Sequence, residues 1–423
     1  RRVGSKLTVE AERIHTTPVH LFRKDFSEME EDSPSWWSHK CDRHIDQAIA
    51  AQEPSIRLES SNQRPTPDSM RQTGRPTILQ TGHAQVREVI GRGLCADVTD
   101  WLASWPERGE IWPNLWEPVT FNGRIYGVPL SAHVFVLLCN AKRFRACGLN
   151  PDCPPRTWDE LVQAAGRMTD ASKGLYGLVF PQDTSAGWRF VDLCFQAGGT
   201  VMRDHGGGWT PAFHEPAGQT ALSFLHDLRW RWKVMPPDPL DGAESLKALF
   251  EDRIGMCWVQ ASSGLTALAR SGRSPADFEV APLPAGPQGH STQQVSIHAA
   301  LINAHAPVPE QEAAWRYVRR LAGAEVRAEH SRFMWPHRVV MGWPSSLRSV
   351  TASQTGVELP HAWFATLTSI LAQARPEPSA IGWNADAFLT PLVRRVLQES
   401  DVDIAREAAL AARIAERTSS LSL

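Results

Sequence analysis

The longest uninterrupted apolar stretch of this sequence, residues 134–139, has only six residues. A helix that crosses a bilayer needs about 18 or more apolar residues, so we expect no membrane-spanning segment. Six apolar residues suit a buried β-strand, and similar short segments alternate along the chain with longer amphipathic ones. This alternation is typical of mixed sheets with crossover helices and indicates an α/β fold.

Strands are predicted where a short apolar segment lies between polar or proline-rich stretches. The predicted strands are residues 6–14, 56–59, 76–80, 134–139, 254–259, 278–281 and 295–303. A polar stretch without a predicted element runs over residues 15–35, and the polar, proline-rich residues 60–75 predict a loop.

The clearest helix signal lies at residues 157–168. Thr157 and Glu160 have the spacing of a capping box, and apolar residues follow them at helical intervals. Further helices are predicted over residues 38–52, 86–93, 217–232, 310–322, 361–374, 385–399 and 402–417.

Length and composition restrict the class of protein. A chain of 423 residues can form two or three domains. Its 44 Lys and Arg against 46 Asp and Glu give a net charge of −2, which argues against a nucleic-acid-binding protein. Seven cysteines are too few for a disulfide scaffold. Cys147 and Cys153 either pair across a tight loop or stay free, and four others lie in apolar segments: Cys95, Cys139, Cys194 and Cys257.

The usual catalytic and cofactor motifs do not occur in the sequence. It contains no G-x-S-x-G elbow, no H-E-x-x-H, no P-loop and no C-x-x-C pair, so we expect neither a cofactor nor a metal. The sequence has 17 tryptophans but only three tyrosines. Most tryptophans should be core, but some could pack against the apolar face of a ligand whose rim carries hydroxyls.

Five segments stand in an order and spacing that together resemble one known family. They are residues 123–170 (GRIYGVPLSAHVFVLLCN to GRMTD), FVDLCFQAGGTVMRD with ALSFLHDL, LKALFEDRIGMCWVQASSG, DFEVAPLPAGPQG, and EQEAAWRYVRRLAG. The order resembles the extracellular solute-binding proteins of bacterial ABC importers, in the carbohydrate-binding, maltose-binding-protein-like branch. The resemblance covers about residues 76–340 well and the C-terminal helices more loosely.

This resemblance implies a two-lobed periplasmic-binding-protein-like fold of type II. Each lobe would be a mixed sheet flanked by helices, and the ligand would lie in the cleft between the lobes. The N-terminal lobe would hold residues 1–128 and 296–330, and the C-terminal lobe 129–295 and 331–423. Hinge segments would lie near 128–133, 295–301 and 325–336.

The sequence also departs from the pattern of the family. Pro76-Thr77-Ile78 stands where the family usually has Pro-Asp-Val, and Leu138-Cys139 replaces an aromatic pair. Ser296-Ile297 stands where a double glycine is common. Residues 15–40 match nothing in the family.

Two candidate ligand contacts come from the resemblance. Trp188, ten residues before Gly198-Gly199, occupies the place of a sugar-stacking aromatic; the alternative is a core position. His133 stands where the family's maltose binder has a sugar-binding carboxylate. An imidazole there could bind hydroxyls or, when protonated, an anionic group.

Other candidates come from their places at the expected cleft. Some follow predicted strands, whose carboxyl ends face the cleft: Thr81, His83, Gln85, Gln260 and Ser262. Trp258 lies within a strand, where a core position is the alternative. Trp36 and Trp37 precede the first helix, Trp335 and Arg338 lie at the third crossing, and Trp383 lies in a loop. Arg338 could clamp a carboxylate or phosphate, or form a structural ion pair.

We therefore expect a monomeric binding protein, not an enzyme, that captures a sugar or small oligosaccharide and delivers it to an ABC permease. A binder of glycerol-phosphate or an acidic sugar, a carbohydrate-active enzyme, and a protein that presents its ligand to a receptor are the alternatives. No secretory signal is visible at the start of the numbering. We expect export to a periplasm or tethering outside a membrane, with the signal absent from this numbering.

Overall fold

The computed structural model describes residues 17–22, 34–61, 66–205, 208–341, 343–378 and 383–420. Its strands are β1 (Thr17–Phe22), β2 (Ile56–Ser61), β3 (Ile78–Gly82), β4 (Thr120–Phe121), β5 (Arg124–Ile125), β6 (Val128–His133), β7 (Phe135–Asn140), β8 (Tyr176–Val179), β9 (Met202–Asp204), β10 (Trp209–Pro211), β11 (Ile254–Gln260), β12 (Phe278–Ala281), β13 (Gln294–Ile302) and β14 (Arg375–Pro376). Its α-helices are α1 (Pro34–Gln52), α2 (Pro67–Thr73), α3 (His83–Gly91), α4 (Thr99–Ala103), α5 (Ala141–Ala146), α6 (Trp158–Met168), α7 (Ala186–Gln196), α8 (Pro216–Trp230), α9 (Gly242–Phe250), α10 (Ala261–Arg270), α11 (Val308–Ala322), α12 (Ala324–Met334), α13 (Ala352–Thr355), α14 (His361–Gln373), α15 (Ala385–Gln398) and α16 (Ile404–Ser420).

Two mixed sheets organise these elements. The first has the order β2-β1-β3-β13, and β6 and β14 both pair with β13. In it β1, β2 and β3 run parallel, whereas β13 is antiparallel to β3 and β6. The second sheet has the order β12-β7-β11-β8. Helices pack against both sheets, so the structure confirms the predicted α/β class.

The chain passes between the sheets within very few residues. Val134, which is buried, alone separates β6 in the first sheet from β7 in the second. The chain returns from β12 to β13, and after β14 it continues to α15, which packs on α7 and α8. The structure is thus two-lobed: the N-lobe is built on the first sheet and the C-lobe on the second.

Both faces of the C-lobe sheet are covered by helices because its strands are apolar on both sides. Strand β7 is buried along its whole length. Helices α9 and α10 bury Leu246 and Leu265 against one face. On the other face α6, α7, α8 and α15 form a second cluster, in which Trp158 stacks on Phe224 with ring centroids 4.0 Å apart.

Most predicted helices are present within a few residues of the expected ends. Helix α6 begins as predicted, because the Thr157 hydroxyl accepts a hydrogen bond from the Glu160 backbone N–H at 3.2 Å. The second hydrogen bond of a capping box, from the Thr157 backbone N–H to the Glu160 carboxylate, is absent. The Glu160 carboxylate accepts from the Arg156 backbone N–H at 2.7 Å instead. The helix therefore has a normal N-cap but not the full predicted capping box.

Several predictions about the first 100 residues were wrong. The polar stretch 15–35 contains strand β1, which forms six register pairs with β2. The loop predicted over 60–75 contains α2, whose Thr66 and Ser69 form a capping box. Helix α3 begins at His83 rather than at residue 86, and α1 begins at Pro34 rather than at residue 38. The strand predicted at 6–14 lies outside the described residues.

Helix α12 and the residues after it connect the lobes on the side of α1 and α10. Phe333 of α12 stacks on His44 of α1 with ring centroids 4.8 Å apart. The chain reaches α10 later, where the Val340 N–H donates to the Thr266 hydroxyl at 2.9 Å. The domain boundaries and hinge ranges stay predictions.

All seven cysteines are free thiols, Cys147 and Cys153 included. Cys95, Cys139, Cys194 and Cys257 are buried, as predicted. Among the described residues, the helices are too short or too polar to cross a membrane.

Candidate functional site

The ends of several strands converge where the lobes meet. In the N-lobe, β3 ends at Gly82, β6 ends at His133, and β13 begins at Gln294, which places these residues at the edge beside the C-lobe. In the C-lobe, β7 begins at Phe135, directly opposite Gln260 at the end of β11. These two edges bound the cleft between the lobes.

Trp188, in the first turn of α7, forms an aromatic surface on the C-lobe side. Its ring packs edge-on against Phe135, with ring centroids 4.6 Å apart. Its backbone N–H donates to the Asp386 carboxylate at 3.0 Å, and its carbonyl accepts from the Gln294 side chain. The ring is half-buried, and its indole N–H has no hydrogen-bond partner in the described part of the chain. The ring is thus held in place by its neighbours, and its indole nitrogen is itself buried.

A buried ion pair lies beside this ring. The Arg189 guanidinium makes two hydrogen bonds to the Asp183 carboxylate, at 2.7 and 3.0 Å, and lies 5.8 Å from the centroid of Phe135. Burial disfavours the charge on Asp183, but hydrogen bonds and the charge of Arg189 outweigh it and hold the pKa of Asp183 below its usual value. Both side chains are therefore charged, and the net charge of the pair is zero.

A cavity of about 810 Å³ opens next to Trp188. Phe135, Trp188, Gln260 and Ser263 line its end at the cleft, and the cavity continues between α9 and α10. Small-molecule pockets commonly measure about 300–1,000 Å³, so the space suits a ligand of one or several sugar rings. The Gln260 side-chain oxygen accepts from the hydroxyls of Ser262 and Ser263, at 3.3 and 2.6 Å.

The N-lobe side of the cleft carries hydroxyl, amide and imidazole groups. The His133 and His298 ring centroids are 5.0 Å apart, and His133 Nε2 lies 3.1 Å from the Ser131 hydroxyl. The Thr81 hydroxyl donates to the Gln85 side-chain oxygen at 3.2 Å. These groups can exchange hydrogen bonds with hydroxyls without carrying a charge.

Both imidazoles are neutral at physiological pH. Burial, and next the nearby His298, lower the pKa of His133 to about 3. His298 is open to solvent on one side, but protein encloses it elsewhere, and this desolvation lowers its pKa as well. The N-lobe side thus offers no cationic imidazole to an anion near pH 7.

Two buried carboxyl groups lie behind Trp188. Asp192 of α7 accepts from the Gln294 backbone N–H at 2.7 Å, and Glu377 accepts from the Trp383 indole N–H at 3.3 Å. Burial raises the pKa of Asp192 to about 7 and that of Glu377 to about 8. Asp192 thus joins α7 to β13, and Glu377 joins the segment after β14 to Trp383.

Comparison with known proteins identifies the family. The family model for bacterial extracellular solute-binding proteins matches residues 62–328, more than half of the chain. The chain belongs to this family.

An uncharacterized lipoprotein of Streptomyces antibioticus is 26% identical over 315 residues, 72% of this chain and 65% of that protein. A probable amino-acid ABC transporter periplasmic-binding protein of Sinorhizobium fredii is 30% identical over 158 residues, 36% of this chain and 35% of that protein. The chain therefore spans less than two thirds of the length of these relatives.

Solved structures share the fold of this solute-binding protein. The sugar-binding protein MalE from Xanthomonas citri has a TM-score of 0.75 at 16% identity and covers 95% of this chain and 98% of its own. UgpB from Mycobacterium tuberculosis, in complex with glycerophosphocholine, has a TM-score of 0.72 at 14% identity, with the same coverage. At these identities the likeness shows the two-lobed fold alone.

The structure brings together part of the predicted set of this solute-binding protein. Six predicted residues lie at the cleft edges: Trp188, Gln260, Ser262, His133, Thr81 and Gln85. Trp36 and Trp37 belong to α1, but their side chains lie outside the described residues.

The other predicted contacts need correction. Trp258 is 1% exposed and packs on Phe180 in the C-lobe core, so its ring cannot reach a ligand in the cleft. Trp383 is buried against Phe388. His83 is buried, with its Nε2 2.8 Å from the Glu377 carbonyl.

Trp335 and Arg338 were also predicted to lie at the cleft, but they line a separate cavity. Trp335 itself is buried.

Sequence reasoning missed several residues of the site. His298 is the exposed residue of an otherwise buried strand, and a lone polar residue within QVSIHAALI could have indicated it. Arg189 and Asp183 gave no signal, because their pairing depends on the fold of the loop before α7. Phe135 begins an apolar strand and looks like any core residue.

Proposed function

We propose that this solute-binding protein captures a neutral sugar or small oligosaccharide in the cleft between its lobes. The observation that carries the proposal is the half-buried Trp188 ring beside the 810 Å³ cavity. An aromatic face packs on the C–H face of a sugar ring.

The charges of the site favour a neutral ligand over an anion. His133 and His298 are neutral near pH 7, and the guanidinium of Arg189 is already paired with Asp183. At the cleft end of the cavity, beside Trp188, an anion would lose water without gaining an unpaired cation, which is unfavourable; the basic side chains of Lys247, Arg270 and Arg273 line the far end. The hydroxyl, amide and imidazole groups suit the hydroxyls of a sugar.

Delivery of the ligand to a membrane permease follows from the family. Closure of the lobes around the ligand would select the form that a permease of an ABC transporter recognises. We propose that the protein acts outside the cytoplasmic membrane, in a periplasm or anchored to the membrane surface. The lipoprotein and periplasmic-binding relatives support this location.

The test compares two tryptophans that differ in position. Trp188→Ala removes the ring at the cavity and should weaken the affinity for a neutral oligosaccharide at least tenfold, about 1.4 kcal/mol, in isothermal titration. Trp230→Ala is the matched control, because Trp230 is also half-buried, has an unpartnered indole N–H within the described chain, and lies outside the cavity. Equal affinities of the two variants would contradict the proposed site.

The second candidate is a binder of glycerol-phosphate or an acidic sugar, which the glycerophosphocholine complex of UgpB supports. It predicts that anionic ligands bind in the cleft and that Trp188→Ala affects them too. A carbohydrate-active enzyme would convert the bound sugar during a long incubation, whereas the proposed binder returns it unchanged.

A further inference from the structure

A second cavity, of about 650 Å³, lies at the end of α10 farthest from the cleft edge, where Arg270 and Arg273 line both cavities. Its walls are the C-terminal end of α10, the turn formed by residues 335–338, and Glu358 with Leu359. The cavity thus lies where the chain, leaving α12, approaches the C-lobe.

Basic side chains dominate the lining of this cavity. Arg270, Arg273, His337 and Arg338 face a single carboxylate, that of Glu358. The Arg273 guanidinium lies 3.1 Å from the Asp252 carboxylate and 3.2 Å from the Asp277 carboxylate, and these two groups balance its charge. In the part of the chain that the structure describes, Arg338 has no acidic group within 4.0 Å. More basic than acidic side chains therefore line this cavity.

Arg338 is held in an uncommon conformation that fixes its position. Its φ of 56° and ψ of 37° lie in the left-handed region, where a residue with a side chain is disfavoured relative to glycine. Its backbone N–H donates to the Trp335 carbonyl at 2.8 Å, which closes the turn. The guanidinium lies 5.1 Å from the centroid of the Trp335 ring. The ring supports the guanidinium but leaves its N–H donors free for another partner.

We propose that this cavity binds a small oxyanion, a phosphate or carboxylate group, between Arg338 and Arg270. Guanidinium groups bind such oxyanions through paired N–H donors in one plane. Arg270 already donates to the His337 carbonyl at 3.0 Å, which brings α10 and the turn together at one wall of the cavity.

This oxyanion site adjoins the far end of the ligand cavity, since Arg270 and Arg273 line both. Helix α10 has 10 residues, begins at the cleft and ends at Arg270. At about 1.5 Å per residue, it separates Arg270 from the cleft edge at Gln260 by roughly 15 Å. A bound oxyanion would tie the end of α10 to the turn that follows α12.

The experiment titrates inorganic phosphate, and citrate in a parallel series, into the full chain at constant ionic strength. Three variants are compared with the unsubstituted protein: Arg338→Ala, Arg338→Gly and Arg229→Ala. Arg338→Gly removes the guanidinium and relieves the left-handed backbone, so loss of binding cannot be attributed to poor folding. Arg229→Ala is the matched control, since Arg229 also lies over a tryptophan, 4.5 Å from the Trp230 ring centroid, but outside the cavity.

We expect saturable binding in the unsubstituted protein and in Arg229→Ala, and at least tenfold weaker binding in both Arg338 variants. Binding of phosphate alone would assign the site to phosphate groups, and binding of citrate alone to carboxylates. Undiminished affinity in Arg338→Gly, an equal loss in Arg229→Ala, or no saturable binding in the unsubstituted protein would overturn the proposal.

Discussion

Glu377 makes the stability of this protein depend on pH in a way that one substitution can isolate. Burial is the main cause that raises the pKa of Glu377 from 4.5 to about 8, and the charges of Asp386 and Asp192 add to it. The hydrogen bond from Trp383 opposes the increase but does not cancel it. In the folded protein at pH 7 the carboxyl is therefore protonated, whereas in the unfolded chain it is ionised.

The magnitude follows from proton linkage. The folded state binds the proton more tightly than the unfolded chain, so the free energy of unfolding falls as the pH rises between 4.5 and about 8. Each pH unit in this window lowers the free energy of unfolding by about 1.36 kcal/mol. Relative to pH 4, the free energy of unfolding is thus lower by about 3 kcal/mol at pH 7 and by about 5 kcal/mol above pH 8.

Glu377→Gln removes this titration but keeps a polar group of similar size. We expect the stability of the variant relative to the unsubstituted protein to increase by about 3 kcal/mol between pH 4 and pH 7. Urea unfolding followed by tryptophan fluorescence at each pH measures this difference. Glu325→Gln, at an exposed position, controls for the substitution itself. A difference between Glu377→Gln and the unsubstituted protein that stays constant from pH 4 to 9 would refute the reasoning.

Two further predictions concern packing and ligand affinity. A β-carbon on Gly187 would lie 2.5 Å from the Ala385 carbonyl and 2.6 Å from the Thr390 nitrogen, so Gly187→Ala should cost about 1–3 kcal/mol in urea unfolding. Gly166→Ala, at an α6 position with nothing within 4 Å, should be neutral or stabilising; equal losses would contradict the packing argument. Because the pKa of His133 is lowered to about 3, His133 stays neutral from pH 5 to 8, and sugar affinity should not change through its titration; a fall in affinity below pH 6.5 in the unsubstituted protein that His133→Gln abolishes would contradict this.

Local sequence signals predicted the elements whose causes are themselves local. Helix α6 was predicted because its cap and its apolar face lie within 12 residues. Strand β1 was missed because only tertiary pairing with β2 and β3 makes TPVHLF a strand. The two-lobed fold was predicted only through the resemblance of five ordered segments to a known family.

The site was harder to predict because burial and convergence depend on the whole fold. Trp188 and Trp258 both lie next to apolar segments, yet one borders a cavity and the other is in the core. Arg338 was associated with an anion from its chemistry, but the structure places it outside the cleft. Sequence spacing cannot distinguish such positions, because they differ only in what distant segments bring beside them.

A thermal-shift measurement on the Arg338→Ala protein tests the central claim most directly, since in that background the second cavity cannot contribute. The panel compares neutral mono- to tetrasaccharides with glycerol-phosphate and uronic acids. A ligand at about 1,000 times its dissociation constant adds about 4 kcal/mol to stability, which raises the midpoint by several degrees. We expect such a shift with one class of neutral sugar, and its loss when Trp188→Ala is added. Shifts with anionic ligands alone, or shifts that persist without Trp188, would contradict the account.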